Sequence, residues 1–232
     1  MRKLLRQAIA DITDLDSRLL KSIRALVLRP GFLTREFFDG RRQAYLSPVK
    51  LYVLFSVVYF IVFSFFPDKN LFSAETIYYT DFTGTAERSI EDAIESSRID
   101  RQQLLKKYTS LVSYSVYAVA LLFAVLFSLI FIRLKRYFAE HLIYSLHLVS
   151  LIFLADIVLL PLYLVWESTH VRVWSIIVVV SSYSIFGIRE FYNQPLLRSS
   201  AIVLIFSALF WIAGILVGYA VLYATVAAWP SY

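Results

Sequence analysis

The stretch that decides the fold is RPGFLTREFFDGRRQAYLSPVKLYVLF, residues 29–55. Its Pro30-Gly31 pair predicts a turn, because proline restricts φ and glycine accepts left-handed backbone. An aromatic and basic run follows. Pro48 then suits the first turn of a helix whose apolar sequence continues for nearly twenty residues. Positively charged residues are therefore concentrated just before the start of a hydrophobic helix.

The composition of the whole chain indicates a membrane protein. Hydrophobic residues make up 59% and charged residues 17% of its 232 residues, and the mean hydropathy is +0.67. Ordinary soluble domains contain about 25% charged residues. The net charge is +6, and the basic residues lie beside the apolar spans. Their positions therefore indicate how the spans are oriented, and no nucleic-acid partner is predicted. The absence of cysteine excludes disulfides and thiolate metal sites, and no cofactor is predicted.

Five apolar stretches approach the length of roughly 20 residues that a bilayer core of about 30 Å requires. They are residues 49–66, 111–132, 142–165, 173–188 and 201–228. The fourth is short and contains several serines, so whether it crosses fully is left open. The predicted fold is all-α, a polytopic membrane bundle of five transmembrane helices.

The distribution of Lys and Arg orients these spans. The segment up to Lys50 contains eleven basic residues, whereas the connection at 67–107 has eight acidic and six basic ones. The two remaining connections on the N-terminal side hold three and two basic residues. Because cytoplasmic loops are enriched in Lys and Arg, the N-terminus is predicted inside and the C-terminus outside.

The chain is expected to divide into two parts. Residues 1–48 form a cytoplasmic amphipathic helix and an interfacial elbow, and residues 49–232 form the transmembrane domain with its outer loop at 67–107. Within the first part, the apolar residues of segment 4–27 fall on one face of a predicted helix, and most of its basic residues fall on other faces. Such a helix either lies on an anionic leaflet or packs on the protein's own cytoplasmic face.

The cations of the elbow are expected at headgroup height. Each can contribute roughly 1 kcal/mol of attraction to an anionic leaflet, which is ample for positioning. Arg41 and Arg42, beside Tyr45, are also candidate residues for binding a lipid phosphate or another anion.

Asp156 is the deepest ionisable residue of the third span. An ionisable side chain at the bilayer centre costs about 2.5–3.5 kcal/mol, so it commonly lines a bundle interior or a polar cavity. Asp156 is therefore either a proton or ion relay or a structural carboxyl. In either role it is expected to face Ser113, Tyr117 or the serines at 181–184.

Glu140, His141 and His147 form a second polar group, near the inner end of the same span. Glu140 and His147 are seven residues apart and share a helical face. Glu140 either pairs with Arg133 or Arg136, or joins the two histidines as metal ligands or acid–base groups. Because Glu140 and His141 point about 100° apart, a metal would need a ligand from another helix.

A GxxxG motif, Gly214 and Gly218, lies in the fifth predicted span. Small residues at this spacing allow close helix contact. The contact is either within the chain or with a second copy or a partner membrane protein.

Two pieces of the sequence stand out, LVLRPGFLTREFFDGRRQAYLSPVKLYV (residues 26–53) and RYFAEHLIYSLHLVSLIFL (residues 136–154). Together they resemble the bacterial membrane family catalogued as domain of unknown function 3667. The resemblance covers roughly residues 20–155 and implies a bacterial inner-membrane, multi-pass protein, but no biochemistry. Many members carry a Cys-rich zinc ribbon upstream, which this sequence lacks. The matching positions are Pro30, Gly31, Glu36, Gly40, Arg41, Arg42, Tyr45 and Pro48, then Tyr137, Glu140, His141 and His147.

Two functional hypotheses follow. The favoured one is a non-enzymatic membrane protein acting in transport or in lipid or partner binding. Its two motifs would meet at the cytoplasmic interface, with Arg41 near Glu140. The alternative is a metal-dependent or acid–base membrane enzyme on a lipid-like substrate, using Glu140, His141 and His147.

Overall fold

The computed structural model describes residues 17–66, 119–166 and 168–209. Over these ranges the chain is helical and contains no strand. Two short 3-10 helices, Arg42–Ala44 and Ile132–Leu134, accompany seven α-helices. The α-helices are α1 (17–28), α2 (Phe32–Phe38), α3 (Pro48–Ser64), α4 (Val119–Ile130), α5 (Phe138–Val165), α6 (Thr169–Phe191) and α7 (Leu196–Leu209).

Three helical segments in the described part of the chain are long and apolar enough to cross a membrane. They are Arg42–Ser64, which contains α3, then Phe138–Val165 and His170–Phe191. Their mean hydropathies are 2.0, 2.5 and 1.8. The protein therefore has the character of a membrane protein, as its composition predicts.

These helices correspond to the first, third and fourth predicted spans. The fourth is longer than predicted, since α6 covers 23 residues from Thr169 to Phe191 rather than residues 173–188. Apolar helix α4 lies within the second predicted span, and α7 begins five residues before the fifth and overlaps its first nine residues. Residues 111–118 and 210–228 of those two predicted spans are outside the described residues. The five-span count and the orientation of the bundle therefore stay predictions.

Several other expectations also fall outside the described ranges. They concern the first part of the amphipathic helix, up to residue 16, the outer loop at 67–107, and Gly214 and Gly218. Helix α1 includes the remainder of the predicted amphipathic segment, and its Leu26 is fully buried.

The core is built around α5, which packs against α3 and α6. Phe153 of α5 is fully buried and contacts Tyr59 of α3 with ring centroids 4.9 Å apart. Nearer the start of α5, Tyr144 meets Phe127 of α4 edge to face, at 5.1 Å. Such aromatic pairs contribute about 0.5–1.5 kcal/mol beyond their burial. They join α3 and α4 to α5 in one bundle.

The elbow, residues 29–47, connects α1 to α3. Gly31 has φ of 78° and starts α2, and a Cβ atom there would lie 2.7 Å from the Gly187 carbonyl oxygen of α6. Ser22 of α1 closes the elbow, because its hydroxyl accepts a 2.9 Å hydrogen bond from the Leu46 N–H. Ser47 then caps α3, whose first residue is Pro48. The elbow is thus folded back onto the bundle.

Candidate functional site

The first contact between the two sequence motifs is made by Thr34. Its Oγ1 shares a 2.9 Å hydrogen bond with Nδ1 of His147 on α5. Both side chains are buried, with 1% and 4% of their surface exposed. Because a buried polar group without a partner is costly, this bond fixes α2 on the bundle. Sequence reasoning identified His147 but not Thr34, since a single threonine beside an aromatic run carries no signal of its own.

A second tie joins α2 to α6. Arg35 forms an ion pair with Glu190 near the end of α6, and both side chains are nearly half exposed. Together with Gly31 against Gly187, this contact sets the elbow beside the end of α6.

Arg41 is neutralised within the elbow itself. Its guanidinium binds both Glu36 carboxylate oxygens, at 2.6 and 2.5 Å, and contacts Asp39 at 3.1 Å. Glu36 is buried, and the hydrogen bond from Arg41 lowers the pKa of its carboxyl. The carboxylates that Arg41 contacts are therefore those of Glu36 and Asp39 rather than that of Glu140.

Arg42 and Tyr45 also belong to the elbow and have other partners. The Arg42 Nε donates to the Phe37 carbonyl at 3.1 Å, and its guanidinium lies 4.6 Å from the Phe37 ring centroid. Tyr45 packs edge to face on Phe32. Within the described ranges Arg42 has no carboxylate partner, and its side chain is exposed. Of the two adjacent arginines, Arg42 is thus the one with charge available to a ligand.

Glu140 pairs with Arg136, one of the two alternatives that the sequence offered. Arg136 Nη1 donates to its Oε2 at 2.6 Å, and the Tyr137 N–H donates to its Oε1 at 3.2 Å. The second contact caps the start of α5. Arg136 Nη2 also donates to the Phe191 carbonyl at 3.0 Å, so Arg136 ties the start of α5 to the end of α6.

His141 is buried against an aromatic stack. Its Nδ1 shares a 2.8 Å hydrogen bond with the hydroxyl of Tyr192, the residue that ends α6. The Phe131 and Tyr192 rings lie 3.9 Å apart and nearly parallel. Burial raises the pKa of Tyr192, so its hydroxyl stays protonated and can donate to His141. Tyr192 was not identified from sequence.

Glu140, His141 and His147 thus have three separate partners, Arg136, Tyr192 and Thr34. Across the part of the chain that the structure describes, no three His, Cys, Asp or Glu side chains are grouped so that they could hold a metal ion. His141 and His147 thus bond to residues of other segments, whereas Glu140 bonds to residues at the start of its own helix.

Asp156 is fully buried further along α5. Its carboxyl acts electrostatically on the hydroxyl of Tyr163, as does the guanidinium of Arg172. Ser175 of α6 donates to the same hydroxyl at 3.4 Å. Arg172 is only 2% exposed and lies within α6, whereas the sequence placed it in the connection before the fourth span. A polar seam of Asp156, Tyr163, Arg172 and Ser175 therefore runs between α5 and α6.

Of the partners expected for Asp156, Ser113 and Tyr117 lie outside the described residues.

Residues 16–60 match the family model described as protein of unknown function (DUF3667). This match confirms the predicted resemblance over the first motif, which includes Gly31, Glu36 and Arg42. The second motif, from Tyr137 to His147, lies beyond the matched residues. No curated protein and no solved structure matches the chain.

Proposed function

We propose that the protein is a non-enzymatic, multi-pass protein of a bacterial inner membrane that binds anionic lipid at the elbow. The observation that carries this proposal is the difference between Arg41 and Arg42. Arg41 is neutralised by Glu36 and Asp39, whereas Arg42 lies exposed on Phe37. A guanidinium held in this way can bind a phosphate through charge-assisted hydrogen bonds.

The position of Arg42 supports a lipid as the source of that phosphate. Pro48 begins the first apolar span six residues later, and exposed Lys50 lies in its first turn. The positive-inside rule favours a cytoplasmic elbow, where the leaflet is anionic. Exposed Phe38 and Val49 offer apolar contacts on the same segment.

The contacts between the elbow and the bundle support a fixed position for the Arg42 side chain. Thr34 is bonded to His147, Arg35 is paired with Glu190, and Ser22 is bonded to the Leu46 N–H. Arg42 therefore has a defined position relative to the bundle. A preorganised cation loses less conformational entropy when it binds.

The test is a lipid titration of the purified full chain in detergent, followed by native mass spectrometry. Arg42→Gln should weaken phosphatidylglycerol binding about tenfold, the effect of one charge-assisted hydrogen bond. The matched control is Arg198→Gln, which removes an exposed cation from α7. Equal phosphatidylglycerol binding by wild type and Arg42→Gln would overturn the assignment.

Transport is a second candidate, which the polar seam between α5 and α6 favours. Asp156 and Arg172 are both buried within helices long and apolar enough to cross a membrane, where ionisable side chains commonly serve ion or proton pathways. The test is proton flux into proteoliposomes that contain the protein, recorded with an internal pH dye. Flux that persists in Asp156→Asn would remove Asp156 from such a pathway.

A further inference from the structure

A cavity of about 350 Å³ opens where α6 ends and α5 begins. Arg35, Phe38 and Asp39 line it from the elbow, and Arg136, Glu190 and Phe191 line it from the bundle. Its volume is at the lower end of the range of roughly 300–1,000 Å³ that small-molecule sites occupy. Arg42 is not part of this lining, so the cavity and the Arg42 surface are separate places on the protein.

The charges of the cavity are balanced. Arg35 and Arg136 contribute two guanidinium groups, and Asp39 and Glu190 contribute two carboxylates. A purely anionic ligand would face both carboxylates, and a purely cationic ligand would face both guanidinium groups. Like charges brought together are unfavourable at a binding site. A ligand that carries both signs, a short distance apart, avoids either penalty.

The charged groups keep hydrogen-bonding capacity for such a ligand. Glu190 uses only Oε1 to pair with Arg35, and its Oε2 has no hydrogen-bond partner in the described portion of the chain. Arg136 uses one N–H on each of Nη1 and Nη2 for Glu140 and the Phe191 carbonyl. Because a guanidinium carries five N–H groups, three remain. Donors and acceptors are thus both available.

The walls and surroundings of the cavity suit a lipid. The Phe38 and Phe191 rings lie 6.2 Å apart, and the Arg136 guanidinium lies 4.7 Å from the Phe191 centroid. Exposed Phe138 and Leu197 follow the lining residues closely in the chain and offer apolar surface for acyl chains. A free water-soluble zwitterion would gain nothing from these two side chains.

We propose that this cavity binds the headgroup of phosphatidylethanolamine, a zwitterionic phospholipid with a primary ammonium group. Arg35 and Arg136 bind the phosphate, and Glu190 and Asp39 accept hydrogen bonds from the ammonium. This inference rests on the proposed function in one respect, the placement of the elbow at the membrane interface. It assigns a different lipid class to a different set of residues.

The experiment compares three lipids on the purified full chain by native mass spectrometry. Wild type should bind phosphatidylethanolamine about tenfold tighter than phosphatidylcholine, whose quaternary ammonium has the same charge but no N–H to donate. Glu190→Gln should lower phosphatidylethanolamine affinity about tenfold and phosphatidylcholine affinity by less, because the quaternary ammonium loses only the attraction of the charge and no hydrogen bond. Asp39→Asn is a second variant with the same expected direction, for use if Glu190→Gln is not monodisperse.

Phosphatidylglycerol and Arg42→Gln separate this inference from the proposed function. Arg42→Gln should weaken phosphatidylglycerol binding and leave phosphatidylethanolamine binding at the wild-type level. Equal affinities of wild type for phosphatidylethanolamine and phosphatidylcholine would overturn the cavity assignment. So would a folded Glu190→Gln or Asp39→Asn protein with undiminished phosphatidylethanolamine affinity. Each of these results stands whether or not Arg42 binds phosphatidylglycerol.

Discussion

Thr34 Oγ1 and His147 Nδ1 lie 2.9 Å apart although 113 residues separate them in the chain. This buried hydrogen bond joins the elbow to the long helix α5. It therefore also joins the two sequence motifs, one in the elbow and one at the start of α5. The elbow is therefore packed onto the helix bundle and is not merely a linker before its first span.

Replacing Thr34 with Val should destabilise the protein by about 1–3 kcal/mol, because His147 would lose a partner while staying buried. Thermal unfolding in detergent, followed by tryptophan fluorescence, measures the change. Thr34→Ser keeps the hydroxyl and serves as the control. If Val and Ser variants unfold at the same temperature, the hydrogen bond does not stabilise the elbow.

The Glu36–Arg41 pair should make stability fall in acid. The pKa of Glu36 is lowered in the folded protein by its hydrogen bond from Arg41, relative to the ordinary value of 4.5. Its contribution is therefore fully present above about pH 4.5 and is lost as the pH falls through the folded-state pKa. Glu36→Gln and Arg41→Gln should each remove the same part of the acid dependence in a thermal-unfolding series. An acid limb unchanged in both variants would contradict this prediction.

Two glycines of the elbow should respond differently to alanine. Gly31 and Gly40 both have positive φ, 78° and 85°, but only Gly31 is also crowded, against the Gly187 carbonyl. Gly40→Ala should cost about 1–2 kcal/mol for the left-handed backbone alone. Gly31→Ala should cost clearly more, because α2 must move away from α6. Equal losses of unfolding temperature would show that the close approach to Gly187 is unimportant.

Purified protein should be equally stable before and after dialysis against a metal chelator. The reason is that Glu140, His141 and His147 are bonded to Arg136, Tyr192 and Thr34 respectively. Elemental analysis by mass spectrometry, alongside unfolding temperatures, makes the measurement. A stoichiometric zinc or iron whose removal lowers the unfolding temperature would favour the enzyme hypothesis.

The positions of the long apolar helices could be predicted from the sequence. The helices α3, α5 and α6 match the first, third and fourth predicted spans, because a membrane helix must carry its own apolar residues and satisfy its own backbone. The boundary errors at α6 have a physical cause. Arg172 reads as a loop residue from its charge, but α6 buries it beside Tyr163.

The polar contacts were much less predictable. Arg136 was correctly named as one of two possible partners of Glu140, since it is only four residues away in the chain. Arg41 and Arg42 are adjacent and chemically identical, and only the folded elbow distinguishes them, by placing Glu36 under one and Phe37 under the other.

The sequence by itself determined that this protein is helical and membrane-like, where its long apolar helices fall, and that it resembles an uncharacterised family. These properties depend on composition and on the order of neighbouring residues. Only the tertiary structure decided that Thr34 meets His147, that Tyr192 meets His141, and that Arg35 and Glu190 line one cavity. The physical reason is that each contact joins residues far apart in the chain, by 113 residues for Thr34 and His147 and by 51 for His141 and Tyr192, and no local pattern encodes such pairs.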